Sequence, residues 1–196
     1  MSDLRIEQLR GAEIAGQLDA LAGVRIRVFR AFPYLYEGSQ EYEAKYLDTY
    51  IQCPRSLAIL IWDGASCIGA STVLPLVDAG AEAQQPFRDG GHNIEDIDYF
   101  GESVLLPEYR GRGLGVKFFE LREAHAAALG LKTCAFCSVQ RPGDHPAKPA
   151  DYVPNDVFWT RRGYRKAPEI TTTFSWPDIG ETESTAKPMT FWLRTL

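Results

Sequence analysis

The chain has 196 residues, 45% hydrophobic and 24% charged; the length suits one domain over residues 1–196, and the composition excludes disordered, collagen-like and disulfide-scaffold classes. Twenty-six acidic residues against twenty-one basic ones leave a formal charge of −5, too acidic for a broad nucleic-acid footprint, which needs clustered Lys and Arg. No apolar run approaches the roughly 20 residues of a membrane span, and the start, Met1-Ser2-Asp3-Leu4-Arg5, lacks the apolar core of a secretory signal, so a cytoplasmic protein without a membrane partner is expected.

In chain order, residues 4–9 alternate weakly and predict a first strand. Over 12–30, apolar residues recur at Ile14, Leu18, Leu21, Val24 and Val28, a helical spacing. Phe32-Pro33-Tyr34-Leu35-Tyr36 ends that helix, because Pro33 disfavours helix at the residue before it. Ser39 then serves as N-cap to a second helix over 41–50. Apolar runs at 56–62 and 67–74 flank Asp63-Gly64-Ala65-Ser66, a hairpin turn. Residues 75–95, richer in Gly, Gln, Asp and Pro, read as a loop with a short helix. A strand over 98–106 follows, ending at Pro107. A helix over 113–129 closes at Gly130, with Leu114, Phe118, Leu121 and Ala128 as its buried stripe. The remainder reads as a strand at 133–139, a long Pro- and charge-rich loop at 140–154, a short helix at 155–161 ending at Gly163, and strands at 169–176 and 189–195. This order is mixed α/β, with strand pairs in front and βαβ units behind. The final strands offer an edge through which two copies could pair.

Cys134 and Cys137 form a C-x-x-C, but Thr133 to Val139 reads as a buried strand, and residues three apart on a strand face opposite sides. Cys53 and Cys67 add no pair at zinc spacing, so the cysteines are expected to be structural. His92, His125 and His145 are scattered, without H-E-x-x-H or G-x-S-x-G, and a metal-free mechanism is expected.

The stretch that carries chemistry is Val104-Leu105-Leu106-Pro107-Glu108-Tyr109-Arg110-Gly111-Arg112-Gly113-Leu114-Gly115-Val116. A buried strand turns through a Gly-rich loop directly into a helix. Glycines let the backbone approach a ligand, and a helix start offers unpaired N–H groups and a partial positive charge, a combination that binds phosphate. Arg110, Arg112 and Lys117 add cationic charge. The G-x-x-x-x-G-K-[ST] cradle is absent, and Gly111, Gly113 and Gly115 lack the third position of a dinucleotide fingerprint. A strand–Gly–helix turn can also be no more than a tight connection with a solvated basic face.

Arg110-x-x-Gly113-x-Gly115, preceded by a strand and Pro-Glu-Tyr, resembles the coenzyme A motif of the GNAT (Gcn5-related) N-acetyltransferases. Phe158-Trp159-Thr160-Arg161-Arg162-Gly163-Tyr164 is similar to the end of that family's later helix. The resemblance covers most of the chain and implies a central mixed, mostly antiparallel sheet flanked by helices. It implies acetyl transfer from acetyl-CoA to a small-molecule or peptide amine. In that picture Gly111, Arg112, Gly113, Leu114, Gly115 and Val116, with Arg110, hold the pyrophosphate. The backbone of Val104, Leu105 and Leu106 pairs with the pantetheine arm, and Asn155 and Trp159 line the cofactor from the later helix. The family's usual proton-donating Tyr is replaced by Trp159, whose indole is not a usable acid. Tyr152, at the loop-to-helix junction, is the remaining candidate for that role, or an aromatic packed under the loop.

Removing a proton from the amine needs a base. Asp98 and Glu102 lie on the strand leading into the motif, and Glu102, sharing parity with Val104 and Leu106, is the first choice. Asp144 and His145 in the long loop, and Tyr34 and Tyr36 beyond Pro33, with Glu37, are the candidates for the acceptor side. A non-catalytic acyl-CoA-binding or sensing module of the same fold is the alternative function.

Overall fold

The computed structural model describes residues 4–196; Met1, Ser2 and Asp3, from the charged start, lie outside them. β1 (Arg5–Leu9) leads into a 3-10 segment (Gly11–Gln17) and then α1 (Leu18–Phe29) and α2 (Gln40–Gln52). The expected helix over 12–30 is thus two elements. Gln17 departs from helical geometry (φ −123°, ψ 18°), and Gly16 immediately before it is a poor helix former. The second helix keeps its cap, since the Tyr42 N–H donates to the Ser39 hydroxyl at 3.2 Å.

β2 (Leu57–Asp63) and β3 (Ser66–Pro75) form the expected hairpin, with Gly64 in the left-handed region that the tight turn requires (φ 57°). β2 is buried along nearly its whole length, which is why it reads as an unbroken apolar run rather than an alternating one. Residues 75–95 contain α3 (Ala81–Asp89), and β4 (Ile97–Leu105) follows. Next come α4 (Leu114–Ala128), β5 (Thr133–Val139), α5 (Asp156–Arg161), β6 (Arg165–Trp176) and β7 (Thr185–Thr195). β6 and β7 each begin four residues before their expected starts, because their polar, solvent-facing first halves carry little apolar signal. α4 buries Phe118, Phe119, Arg122, His125 and Ala126, whereas Ala128 is exposed. The stripe is shifted because Arg122 and His125 turn inward, which a purely apolar pattern does not register.

The seven strands form one sheet in the order β1-β2-β3-β4-β5-β7-β6, antiparallel throughout except between β4 and β5. This is the mixed, mostly antiparallel sheet with flanking helices that the resemblance implied. β7 lies between β5 and β6, so of the last two strands only β6 keeps a free edge for a second copy.

Two irregularities shape everything that follows. The β4–β5 ladder joins only Ile97–Tyr99 to Thr133–Ala135, yet the strands run on to Leu105 and Val139. Past Tyr99 they diverge, leaving β4 without a partner on that side. The second is a β-bulge: Ser71 pairs with Ser103 and Val73 with Phe100, so Gly101 and Glu102 together face Thr72.

Candidate functional site

The bulge decides which way the strand's two carboxylates go. On a regular strand Asp98 and Glu102 would share a face. Instead Asp98 is fully buried beneath α4, its carboxylate 2.7 Å from His125 Nδ1, while His125 Nε2 lies 2.8 Å from the Arg55 carbonyl. Burial pushes the Asp98 carboxyl up against the pull of His125. This pair ties α4 to the sheet and separates Asp98 from Glu102, the other strand carboxylate weighed for the base. Glu102 emerges on the opposite face, toward α1 and α2.

There Glu102 meets Arg25 of α1 at 2.5 Å, and Arg25 also pairs with Glu43 of α2. All three side chains are buried. Burial alone would lower the Arg25 guanidinium, but Glu102, Tyr46 and Glu43 outweigh it and hold it above its ordinary range. The Tyr46 hydroxyl donates to Glu102 Oε2 at 2.9 Å and lies 3.2 Å from the Tyr50 hydroxyl. The other carboxylate oxygen, Glu102 Oε1, is buried without a hydrogen-bond partner. Arg25 and Glu43 were missed by the sequence reading. Their signal is a charge standing on the apolar stripe of each helix: Leu21-Val24-Arg25-Val28 and Glu43-Leu47-Tyr50.

Arg25, Tyr46, Tyr50 and Glu102 floor a cavity of about 390 Å³ that reaches the diverging strands at Tyr99, Gly101 and Glu102 on β4 and Cys137 on β5. Tyr34 and Tyr36 stand in its wall with Phe29, Tyr42, Phe174 and Trp176. Burial pushes the Cys137 thiol up to about 12, so the sulfur facing the cavity is protonated at neutral pH and a poor nucleophile. Burial likewise raises the Tyr34, Tyr46 and Tyr50 phenols, which hold their protons as donors.

Gly101 is needed for this floor. A Cβ there would sit 1.8 Å from the Tyr50 hydroxyl oxygen and 2.6 Å from Thr72 Oγ1. Gly101→Ala is therefore expected to cost about 3 kcal/mol or more by overpacking. Tyr50→Phe, which removes the nearest atom, should recover part of that loss in a double-mutant cycle read by urea denaturation.

The cavity wall is held by an arginine that the sequence reading passed over. Arg141 donates to the Pro33 and Tyr34 carbonyls, both at 2.8 Å, and makes a bidentate pair with Asp178 at 2.7 and 2.8 Å. It thus pins the 32–36 segment to the β6–β7 connection. Arg141→Ala would leave Asp178 partly buried with one fewer cation, at a cost of about 2–4 kcal/mol. A fall in thermal midpoint of about 5–15 °C is expected for a chain of this size, with Arg141→Lys recovering little because it cannot make the fork.

The long loop meets the same segment: the Phe32 ring lies 4.7 Å from Tyr152, edge-on, and 5.7 Å from His145. His145 Nδ1 accepts from the Ala147 N–H at 3.1 Å, and neither His145 nor exposed Asp144 lines the cavity. Glu37 pairs with Arg30 at the surface, at 2.6 Å, and does not line the cavity either. Asn155 is the exposed N-cap residue of α5. Trp159 packs between Phe136 and Trp192, with ring centres 5.0 and 5.1 Å away.

β4 runs from the cavity to the Gly-rich loop. Gly111 and Gly113 have φ of 75° and 81°, the left-handed region that glycine enters most readily, with open space around both. Among the described residues, no backbone or side-chain acceptor takes up the N–H groups of residues 111–116. They form an anion nest at the start of the 15-residue α4. Arg110 Nε donates to the Leu105 carbonyl at 3.2 Å, and Arg112 lies over the Tyr109 ring while donating to the Glu108 carbonyl at 3.0 Å. Lys117 reaches Glu120 at 3.4 Å. Gly115 faces Phe158, where α5 packs on the start of α4; a Cβ there would make an ordinary 3.4 Å contact.

No family model and no curated protein sequence matches the chain. Solved structures do. The ribosomal-protein-S18-alanine N-acetyltransferase of Escherichia coli has a TM-score of 0.59 at 12% identity, over 98% of this chain and 94% of that one. An acetyltransferase of the GNAT family from Streptococcus pneumoniae has a TM-score of 0.59 at 11% identity, over 99% and 100%. A Salmonella typhimurium protein solved with its cofactor acetyl-CoA has a TM-score of 0.58 at 11% identity, over 98% and 94%.

Proposed function

The chain has the GNAT acetyltransferase fold, and from that premise we propose that it transfers an acetyl group from acetyl-CoA to the primary amine of a small molecule or peptide by direct attack. The observation that carries this reading is the bulge. It puts the Glu102 carboxylate at the floor of a cavity where β4 is unpaired, and the same strand feeds the anion nest, which starts six residues after its end.

The N–H groups of Gly111 to Val116 would hold the pyrophosphate, with Arg110 and Arg112 adding positive charge. The residues fit the group: the nest is open, its donors are free, and a side chain at Gly113 would project into otherwise empty space. Val104 to Leu106 would offer backbone groups to the pantetheine arm. Asn155 and Trp159 would flank it from the α5 side, Trp159 against Phe136, the first β5 residue beyond the ladder. The acceptor enters the cavity beside Tyr34 and Tyr36; Asp144 and His145 stand outside its lining, His145 meeting the same segment at Phe32.

An ammonium is not a nucleophile, so its proton must leave first; Glu102, bonded to Tyr46 and through it to Tyr50, takes that proton. The neutral amine nitrogen then attacks the thioester carbonyl carbon and the carbon–sulfur bond breaks. The departing sulfur takes a proton from a donor, and the second proton lost by the nitrogen replaces it, so that one proton in all leaves through Glu102. Tyr152, its phenol raised by burial and so protonated at neutral pH, is the donor we assign in place of Trp159. Incubation with acetyl-CoA and a panel of amines tests the reading. Thiol release that depends on the amine, together with acetylated amine, is expected. Thermal stabilisation by coenzyme A with no turnover of any amine would point instead to the non-catalytic acyl-CoA-binding alternative.

A further inference from the structure

The cavity's charge inventory narrows the acceptor. Among its lining residues the only cation is Arg25, and that guanidinium is fully engaged: it pairs with Glu43 and Glu102, and lies 4.1 Å from the Tyr46 ring centre and 5.2 Å from that of Phe29. A carboxylate on the acceptor would find no free cation. Glu82 also lines the cavity but is exposed to solvent. In the buried cluster one guanidinium against Glu43 and Glu102 leaves a single negative charge, and Glu102, the member of that pair that lines the cavity, has a buried acceptor atom, Oε1, with no donor. That is one place for one ammonium.

Around it the wall is aromatic. Phe29, Tyr34, Tyr42, Tyr99, Phe174 and Trp176 all line the cavity. The Trp176 indole and one face of Tyr34 are fixed by a 3.0 Å hydrogen bond from Trp176 Nε1 to the Tyr34 carbonyl and by ring packing at 5.8 Å. Rings held this way offer flat apolar faces for another ring, and partial negative charge for a nearby cation. A strongly hydroxylated body would lose its hydration there without equal compensation. The volume, about 390 Å³, lies at the small end of ligand sites and suits a one- or two-ring molecule.

We propose that the acceptor is an arylalkylamine: a compact monoamine with an aromatic body and no carboxylate, its ammonium seated on Glu102 Oε1 and its ring against Trp176 and Phe174. This rests on the acetyl-transfer reading and names the substrate class of that same cavity.

The test separates the two. Phenethylamine, tryptamine, phenylalanine and glucosamine are titrated calorimetrically into the full chain saturated with coenzyme A, which carries no acetyl group to transfer. Phenethylamine or tryptamine is expected to bind at least about tenfold more tightly than phenylalanine, which adds only a carboxylate, and than glucosamine, which keeps the amine on a hydroxylated body. Glu102→Gln, checked for folding by circular dichroism, should weaken phenethylamine about tenfold or more and leave the uncharged phenylethanol unchanged. Equal or tighter binding of phenylalanine or glucosamine, or no binding of either arylalkylamine, overturns the proposal. If an arylalkylamine binds as expected but acetyl-CoA yields no acetylated product, the substrate class stands and acetyl transfer falls; if glucosamine alone is acetylated, the reverse holds.

Discussion

Gly113→Glu is expected to abolish coenzyme A binding while leaving the fold intact. Gly113 is in the left-handed region at φ 81°, where a side chain costs roughly 1 kcal/mol, and nothing lies within 4 Å of the Cβ it would carry. The fold therefore tolerates the change, with a small loss of thermal stability. The nest does not, because a carboxylate would stand among the N–H groups meant for an anion. Repulsion between like charges a few ångströms apart, added to the lost donors, should weaken binding by more than about a hundredfold. Gly113→Asn separates charge from strain, since Asn enters the left-handed region and is neutral. It should retain binding within roughly tenfold. Calorimetric titration of coenzyme A into the three proteins reads the result, and normal affinity in the Glu variant would remove the nest from the account.

Glu102→Gln is expected to lower kcat/KM for a protonated amine by about 10²- to 10⁴-fold at neutral pH, the range for loss of a general base. The substitution keeps the shape and loses the charge. Arg25 still has Glu43, so the fold should survive with a stability loss of about 1–3 kcal/mol, smaller than for a cation left wholly alone. The sign of the pH dependence follows from the role. As pH rises toward the pKa of the amine, solution supplies the neutral nucleophile and the variant's deficit should shrink. A rate unchanged from the parent at neutral pH, or a deficit that stays constant with pH, would mean that Glu102 accepts no proton. Tyr46→Phe, which removes one hydrogen bond to Glu102, should show a smaller deficit with the same pH trend.

The geometry of the Gly-rich loop was legible in the sequence because glycine spacing and a following helix encode it locally. Glu102 was found for a related reason: its parity with Val104 and Leu106 lies entirely on the far side of the bulge. Asp98 parts from Glu102 because the bulge falls between them, and a one-residue insertion into a strand leaves no local mark beyond Gly101. What makes Gly101 necessary is Tyr50, 51 residues earlier in the chain. Arg25 and Glu43 were hidden in the same manner, since each becomes a buried partner only when α1, α2 and β4 come together. Arg141 joins three loops, none of which has a periodic pattern to read. The helix over 12–30 was overextended because apolar spacing does not distinguish a 3-10 turn from an α-helical one across a few residues.

The central claim is that the anion nest and the aromatic cavity meet along the unpaired edge of β4. A conjugate of coenzyme A joined through its sulfur to phenethylamine by an acetyl bridge tests it most directly, because only adjoining sites can hold both halves at once. Calorimetric titration is expected to give an affinity at least about a hundredfold tighter than that of coenzyme A alone, with the gain lost in both Gly113→Glu and Glu102→Gln. A conjugate that binds no more tightly than coenzyme A would show that the two sites do not meet.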